Sequence, residues 1–202
     1  MLTNFEKALG FKLEAFNYLY VLCDYETLLK KNISLDQFVQ LCKKKDVKVF
    51  QYRDKISSIE QQKQNLIFLK SQLNIPIIIN DKIELIEFAD GLHLGQEDLQ
   101  MIHKDKKLAV KLVRLKIKDK LLGLSTHNEI EILEANELSL DMIGLGAYKN
   151  TNTKDVSTIL GSKISYLAKI SKLPVCAIGG VKIEDIIDNI RFNVVGSAFL
   201  NE

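Results

Sequence analysis

Polar side chains follow two short apolar segments in the sequence IIINDKIELIEFADGLHLGQEDL, which runs from Ile77 to Leu99. Asn80 and Asp81 come directly after the first segment, and Asp98 follows the second. The carboxyl ends of parallel strands are where α/β sheets and barrels place their sites. Mg²⁺ needs only one or two protein carboxylates, because water and substrate phosphate complete its shell. The spacing therefore predicts a magnesium site at Asp81 and Asp98. The alternative is that Asn80 and Asp81 cap the next helix.

A cationic segment, QYRDK, ends an earlier apolar run. In an extended chain Gln51, Arg53 and Lys55 point to the same side, since successive side chains alternate. Two cations and an amide suit a polyphosphate that is joined to a polar ring. Farther along, Ser125 offers a hydroxyl after a fifth apolar run, and Lys154 closes the hydroxyl-rich loop GAYKNTNTK. We expect these side chains to bind a phosphorylated small molecule.

Small residues follow the last two apolar runs, where backbone amides can approach an anion. Gly179 and Gly180 end one run, and Gly196 and Ser197 end the next. The loops after the last two strands of an α/β barrel often bind phosphate. A tight turn is the structural alternative for the two adjacent glycines.

The three histidines have different surroundings in the sequence. His93 alternates with apolar neighbours inside a predicted strand, which favours a hydrogen-bonded structural histidine. His103 lies in a polar segment and is expected at the surface. His127 follows the fifth strand, where either proton transfer or capping of the next helix is possible.

Short apolar runs alternate with longer amphipathic segments, a pattern typical of βα units with a parallel sheet. About eight strands, each followed by a helix, favour a closed (β/α)8 TIM barrel over an open doubly wound sheet. We therefore expect an α/β fold with one TIM-barrel domain over residues 1–202 and helices near 27–43, 56–73 and 154–171. The predicted strands are Tyr18–Leu22, Val47–Gln51, Pro76–Ile79, Gly91–Leu94, Leu121–Leu124, Leu140–Leu145, Val175–Ile178 and Val194–Gly196.

The composition is that of an ordinary enzyme of the cytoplasm. Of the 202 residues 47% are hydrophobic and 27% are charged, and the net charge of +2 gives no argument for nucleic acid binding. No apolar run approaches the ~18 residues of a membrane span, and the amino terminus has no signal-peptide pattern. The three cysteines are odd in number and widely spaced, which predicts buried free thiols rather than disulfides or a zinc site.

The order of these motifs resembles one known family, the thiamine phosphate synthases. The motifs are QxRxK, IIND, HLGQEDL, GLSTH, GLG followed by TNTK, then AIGG and a final Gly-Ser pair. The resemblance covers nearly the whole chain. It implies a TIM barrel that joins 4-amino-5-hydroxymethyl-2-methylpyrimidine diphosphate to 4-methyl-5-hydroxyethylthiazole phosphate, with Mg²⁺, and releases thiamine phosphate and pyrophosphate.

The resemblance also implies a role for each matching residue. The pyrimidine diphosphate would contact Gln51, Arg53, Lys55, Asn80, Ser125 and Lys154. The thiazole phosphate would contact Thr151, Asn152, Thr153, Gly180, Gly196 and Ser197. Asp81 and Asp98 would hold Mg²⁺. The catalytic residues would be Arg53, Lys55, Ser125 and Lys154. They would stabilise the departing pyrophosphate in a dissociative mechanism that needs no protein nucleophile.

The chain departs from that family's pattern in its phosphate loop and near its end. The loop GAYKNTNTK lacks the usual prolines, and the segment between Gly180 and Gly196 is short. The sequence stops at Glu202, soon after the last strand, which predicts a shortened or missing final helix. An N-terminal helix over Thr3–Phe16, or a second subunit in a homo-oligomer, would then cover that edge.

Two other functions fit the same fold. A thiazole tautomerase relative would use His127 as its acid or base, but it would need neither a diphosphate clamp nor a magnesium pair. A non-catalytic protein that binds thiazole phosphate or thiamine phosphate is the alternative outside the enzymes. Another phosphate-binding barrel isomerase would not explain Asp81 together with Asp98.

Overall fold

A computed structural model of the chain describes residues 2–150 and 159–201. Its strands are β1 (Tyr18–Asp24), β2 (Val49–Arg53), β3 (Ile77–Asn80), β4 (Gly91–Leu94), β5 (Leu121–Thr126), β6 (Met142–Gly146), β7 (Val175–Ile178) and β8 (Phe192–Val195). All are parallel, each pairs with its neighbours in sequence, and β8 closes on β1. The predicted eight-stranded barrel is therefore confirmed.

The strand boundaries differ from the sequence prediction at several ends. β1 and β5 each continue two residues further, because Asp24 pairs with Arg53 and Thr126 pairs with Leu145 in the neighbouring strands. β8 begins earlier than predicted, since Phe192 pairs with Tyr18. The ladder between strands, rather than the apolar run alone, sets where each strand stops.

The helices surround the barrel, except for the first, which lies at its amino end. They are α1 (Asn4–Leu9), α2 (Tyr25–Lys30), α3 (Leu35–Lys44), α4 (Ile59–Gln72), α5 (Gln96–Ile102), α6 (Lys106–Ile117), α7 (Glu129–Ala135) and α8 (Lys163–Ile170), with 3₁₀ helices at Ile83–Phe88 and Ser197–Asn201. The predicted helix near 27–43 is two helices, because Ser34 caps the second one through the backbone N–H of Gln37. Ser58 and Asp105 cap α4 and α6 in the same way.

The N-terminal helix is shorter than the predicted Thr3–Phe16, and it covers another part of the barrel. It ends at Leu9, where Gly10 adopts a left-handed conformation with φ 77°. Phe5 of this helix is buried and stacks on Phe192 at 5.0 Å between ring centroids. The same apolar cluster contains the first residues of β2, β5, β6 and β8. The helix α1 therefore closes the amino end of the barrel interior instead of covering its outer edge.

A short 3₁₀ helix, Ser197–Asn201, follows β8. Its Phe199 is fully buried and packs edge-on against Phe38 of α3 at 5.4 Å. Between β7 and β8, residues 179–191 are all described and contain no helix, and Val181, Ile187 and Ile190 from this loop are buried. The edge of the barrel is thus covered by loop and 3₁₀ side chains.

The predicted free thiols are also present, since all three cysteines are buried and unbridged. None of the helices in residues 2–150 and 159–201 is long and apolar enough to cross a membrane.

Candidate active site

The end of β1 holds the guanidinium group of β2 in place. Arg53 forms an ion pair with Asp24, the residue beside it in the strand ladder. Asp24 also accepts hydrogen bonds from the Thr27 backbone N–H at 2.9 Å and from the Thr27 hydroxyl at 2.8 Å. The carboxylate is therefore fixed by α2, and it orients Arg53 at the mouth of the barrel.

The residues of the QYRDK segment differ in exposure. Gln51 is buried inside the barrel, where it donates a hydrogen bond to the Tyr20 hydroxyl at 2.6 Å. Tyr52 points the other way and bonds Asp54 at 2.7 Å. Lys55 is exposed, beyond the end of the strand. The hydrogen bond to Tyr20 thus orients Gln51, and Lys55 can reach a charged ligand.

Asp81 and Asp98 meet at the ends of β3 and β4. Burial of Asp81 and the nearby charge of Asp98 raise the pKa of Asp81 from 3.8 to about 6, and Lys55 and Arg53 partly oppose this increase. Asp98 accepts a hydrogen bond from the Gly95 backbone N–H at 3.2 Å. The raised pKa of Asp81 shows that the two negative charges repel each other, so this site favours a cation.

Asn80 and Asp81 do not cap the next helix. The following 3₁₀ helix begins after Lys82 and has no side-chain cap. The Asn80 amide instead donates a hydrogen bond to the Asp81 carboxylate, and Asp81 adopts a left-handed backbone conformation with φ 63°. The alternative interpretation of these two residues as a helix cap is therefore wrong.

His93 and Gln96 contact Ser125 from β4 and from the start of α5. The His93 Nε2 atom lies 3.0 Å from the Ser125 hydroxyl oxygen, and the Gln96 amide donates to the Ser125 carbonyl at 2.7 Å. Burial lowers the pKa of His93 to about 4, while Asp98 opposes this decrease. His93 is hydrogen-bonded, as predicted, but its partner is one of the predicted site residues.

Two further loops come together after β6 and β7. The backbone N–H of Lys149 donates to the Gly179 carbonyl at 2.8 Å, and its ammonium group pairs with Asp185 at 2.7 Å. Gly180 has φ 67°, and a Cβ atom there would lie 2.5 Å from the Asn150 carbonyl oxygen. Only glycine permits this close approach. The two loops therefore hold each other at Gly179 and Gly180.

Four predicted site residues lie outside the described part of the chain, namely Thr151, Asn152, Thr153 and Lys154. At the end of β8, Gly196 and Ser197 line a small crevice together with Asp24 and Thr27. A Cβ atom on Gly196 would meet no atom within 4 Å, so this position is open.

His127 does not join these groups. Its side chain is 47% exposed and bonds the Glu131 carboxylate at 2.9 Å on the following helix. His103 is also exposed, and its Nδ1 accepts from the Asp105 backbone N–H. The prediction that His127 caps this helix is wrong, because the N-cap of α7 is Asn128, whose side chain accepts from the Glu131 backbone N–H.

Sequence reasoning missed Asp24, Tyr20 and Gln96 as residues that orient the site. Each acts on a partner in a different strand or helix, so no local spacing indicates it. For His93 one sequence feature was informative. Gly123 and Gly144 lie in two adjacent buried strands, and the absence of a side chain at both leaves room for an imidazole beside Ser125.

Comparisons with known proteins find relatives over most of the chain. The chain is 33% identical over 181 residues to the thiamine-phosphate synthase of Persephonella marina, covering 86% of this chain and 81% of that protein. It is 32% identical over 197 residues to thiamine-phosphate synthase 1 of Streptococcus pneumoniae strain R6, covering 91% and 88%.

Solved structures show the same barrel. Thiamine phosphate pyrophosphorylase from Pyrococcus furiosus superposes with a TM-score of 0.69 at 19% identity, covering 90% of this chain and 86% of that one. An N-acetylmannosamine-6-phosphate 2-epimerase from Clostridium perfringens superposes with a TM-score of 0.59 at 13% identity, covering 93% and 90%. The family model described as thiamine monophosphate synthase matches residues 19–202, and the chain belongs to this family.

Proposed function

We propose that this protein is a thiamine-phosphate synthase. It joins 4-amino-5-hydroxymethyl-2-methylpyrimidine diphosphate to 4-methyl-5-hydroxyethylthiazole phosphate and releases pyrophosphate. The observation that supports this function best is the pairing of Asp81 with Asp98 close to Arg53 and Lys55, whose charges act on Asp81. Carboxylates for a cation and cations for a phosphate at one barrel mouth match a magnesium-bound diphosphate.

The residues present fit Mg²⁺. The described residues contain no cluster of three or more histidine, cysteine, aspartate or glutamate side chains that could hold a metal alone. Mg²⁺ commonly takes one or two carboxylates and completes its shell with water and substrate phosphate. Asp81 and Asp98 would supply these ligands. When bound, the ion would neutralise charge on the diphosphate.

The reaction needs positioning and charge stabilisation rather than a nucleophile. The bond between the pyrimidine methylene carbon and the diphosphate oxygen breaks, and its electron pair leaves with pyrophosphate. The lone pair of the thiazole nitrogen then forms the new carbon–nitrogen bond. Arg53 and Lys55, with Lys154 as predicted from the sequence, stabilise the departing charge. The closed barrel holds both substrates together and limits attack by water.

A pyrophosphate-release assay tests this function directly. The protein is incubated with both substrates, with each one alone, and with both in the presence of excess chelator. We expect release only when both substrates and Mg²⁺ are present. Binding of the thiazole phosphate without any release would instead indicate the non-catalytic binding protein.

The tautomerase alternative receives no support from the site. Its candidate acid or base, His127, bonds Glu131 at the start of α7. The two carboxylates near Arg53 and Lys55 have no use in an isomerisation of the thiazole. A cytoplasmic location and a homo-oligomer stay predictions from the sequence.

A further inference from the structure

We propose that His93 is a positioning residue, which donates a hydrogen bond from Nε2 to the Ser125 hydroxyl oxygen and so directs the hydroxyl proton towards the substrate. This inference deepens the proposed function and rests on it for its catalytic meaning. The direction of the hydrogen bond is a separate physical claim that can be measured without any turnover.

The position of the imidazole is set by three strands. His93 on β4 lies beside Gly123 on β5 in the strand ladder, and Ser125 lies beside Gly144 on β6. A Cβ atom on Gly123 would be 2.5 Å from Nδ1 of His93, and one on Gly144 would be 3.2 Å from Cε1. The two glycines therefore leave the space in which the ring lies flat across β5 and reaches Ser125.

Ser125 is held from two directions. Nε2 of His93 is 3.0 Å from its hydroxyl oxygen, and Gln96 donates to its carbonyl oxygen at 2.7 Å. The backbone and the side chain of this one residue are thus both oriented by residues of the HLGQ motif. These two hydrogen bonds, one to the side chain and one to the backbone of Ser125, fix the direction of its hydroxyl group.

The opposite side of the ring indicates which nitrogen carries the proton. Nδ1 is buried and has no hydrogen-bond partner among the described residues. Water does not fit between Nδ1 of His93 and Gly123, because an atom at the Cβ position of residue 123 would lie only 2.5 Å from Nδ1. A hydrogen on the Gly123 Cα atom faces Nδ1. A lone pair on Nδ1 accepts this hydrogen in a weak contact, whereas an N–H group there would bring two hydrogen atoms together.

A neutral ring with its proton on Nε2 is therefore the state that fits. Buried N–H groups without a partner are rarer than acceptors without one. A doubly protonated ring would also leave a charged N–H unpaired, which costs more. With Nε2 as the donor, the Ser125 oxygen accepts, and the single hydroxyl proton stays available.

The available proton has a clear use at the barrel mouth. A hydroxyl that already accepts from His93 can donate its own hydrogen to an oxygen of the diphosphate or of departing pyrophosphate. With the opposite tautomer, the Ser125 hydroxyl would donate its hydrogen bond to Nε2 of His93, and an oxygen lone pair would face the anion. His93 thus decides whether Ser125 attracts or repels the charge that develops on the leaving group.

Nitrogen-15 NMR of the imidazole side chains tests the direction of the bond. The signal of His93 is assigned by its loss in His93→Gln, with His103 and His127 as internal references. We expect a neutral ring with its proton on Nε2 at pH 7.5, and we expect Ser125→Ala to shift the Nε2 signal. A proton on Nδ1, or no response to Ser125→Ala, overturns the proposal.

Kinetics of a double-mutant cycle test the consequence for catalysis. His93→Phe keeps a flat ring without a donor, and we expect kcat to fall about 10-fold to 100-fold, the range for a hydrogen bond that serves a charged group. In a Ser125→Ala background the same change should have almost no further effect, and His93→Gln should restore part of the rate in the presence of Ser125. Additive losses in the two backgrounds overturn the positioning role.

Failure of the proposed function gives a different result. If the wild-type protein releases no pyrophosphate, the cycle cannot be measured, but the NMR experiment still decides whether His93 donates to Ser125. A correct tautomer in an inactive protein would refute the synthase function only.

Discussion

Replacement of Asp98 by asparagine should make the metal-free protein more stable at pH 7.5 while it removes the response to Mg²⁺. Asparagine has the shape of aspartate, and its oxygen can still accept the hydrogen bond that the Gly95 backbone N–H donates to Asp98. What it removes is the charge that, after burial, contributes most to the raised pKa of Asp81. The substitution therefore relieves repulsion without removing a contact.

The size of this effect follows from the pKa of Asp81, which is about 6 instead of 3.8. Since the folded protein binds this proton more tightly than the unfolded chain, the contribution of Asp81 to stability is fully present below pH 4 and is lost as the pH rises through 6. A shift of this size corresponds to about 3 kcal/mol in full. Burial is the larger cause and solvent screens the pair, so we expect Asp98→Asn to recover ~1 kcal/mol, or about 2 to 4 °C in Tm.

Thermal denaturation in the presence of chelator measures this difference at pH 7.5 and at pH 5. The gain should vanish at pH 5, where Asp81 is largely protonated in the folded wild-type protein. Saturating Mg²⁺ should reverse the order, because an ion at 100 times its Kd stabilises by about 2.7 kcal/mol. Glu97→Gln, which removes an exposed carboxylate from the same helix, should cause none of these changes. A less stable Asp98→Asn protein at pH 7.5, or an unchanged response to Mg²⁺, would refute the reasoning.

Three further changes test other parts of the structure. Gly123→Ala places a Cβ atom 2.5 Å from Nδ1 of His93, so we expect a loss of about 1 to 3 kcal/mol in urea denaturation together with slower pyrophosphate release. Wild-type stability in this variant would mean that the ring is not confined there. Phe199→Ala should cost about 3 to 5 kcal/mol, because its side chain is fully buried against Phe38; an unchanged urea midpoint would show that the 3₁₀ helix does not cover the barrel. His127→Ala should leave pyrophosphate release within about twofold, as for other exposed side chains, and a loss of activity would return this histidine to the chemistry.

The sequence by itself determined the strands and the edge at which the polar residues lie. Apolar runs that stop at QYRDK and at IIND mark strand ends, and parallel strands in a closed barrel bring all such ends to one mouth. Asp81 and Asp98 could therefore be placed together with no knowledge of their contacts. The order of the motifs indicated the family, and the match of the family model over residues 19–202 shows that the chain belongs to it.

Only the tertiary structure decided how each of these groups is held. Ser125 bonds His93, which is 32 residues away, because β4 and β5 pair in one register and glycine clears the space between them. The short helix α1 fills the amino end of the barrel instead of its outer edge, since Phe5 finds Phe192 there. Alternation and apolar spacing specify which face of an element is buried, but the partner across the strands depends on the register and on the closing of the sheet. No stretch of neighbouring residues contains that information.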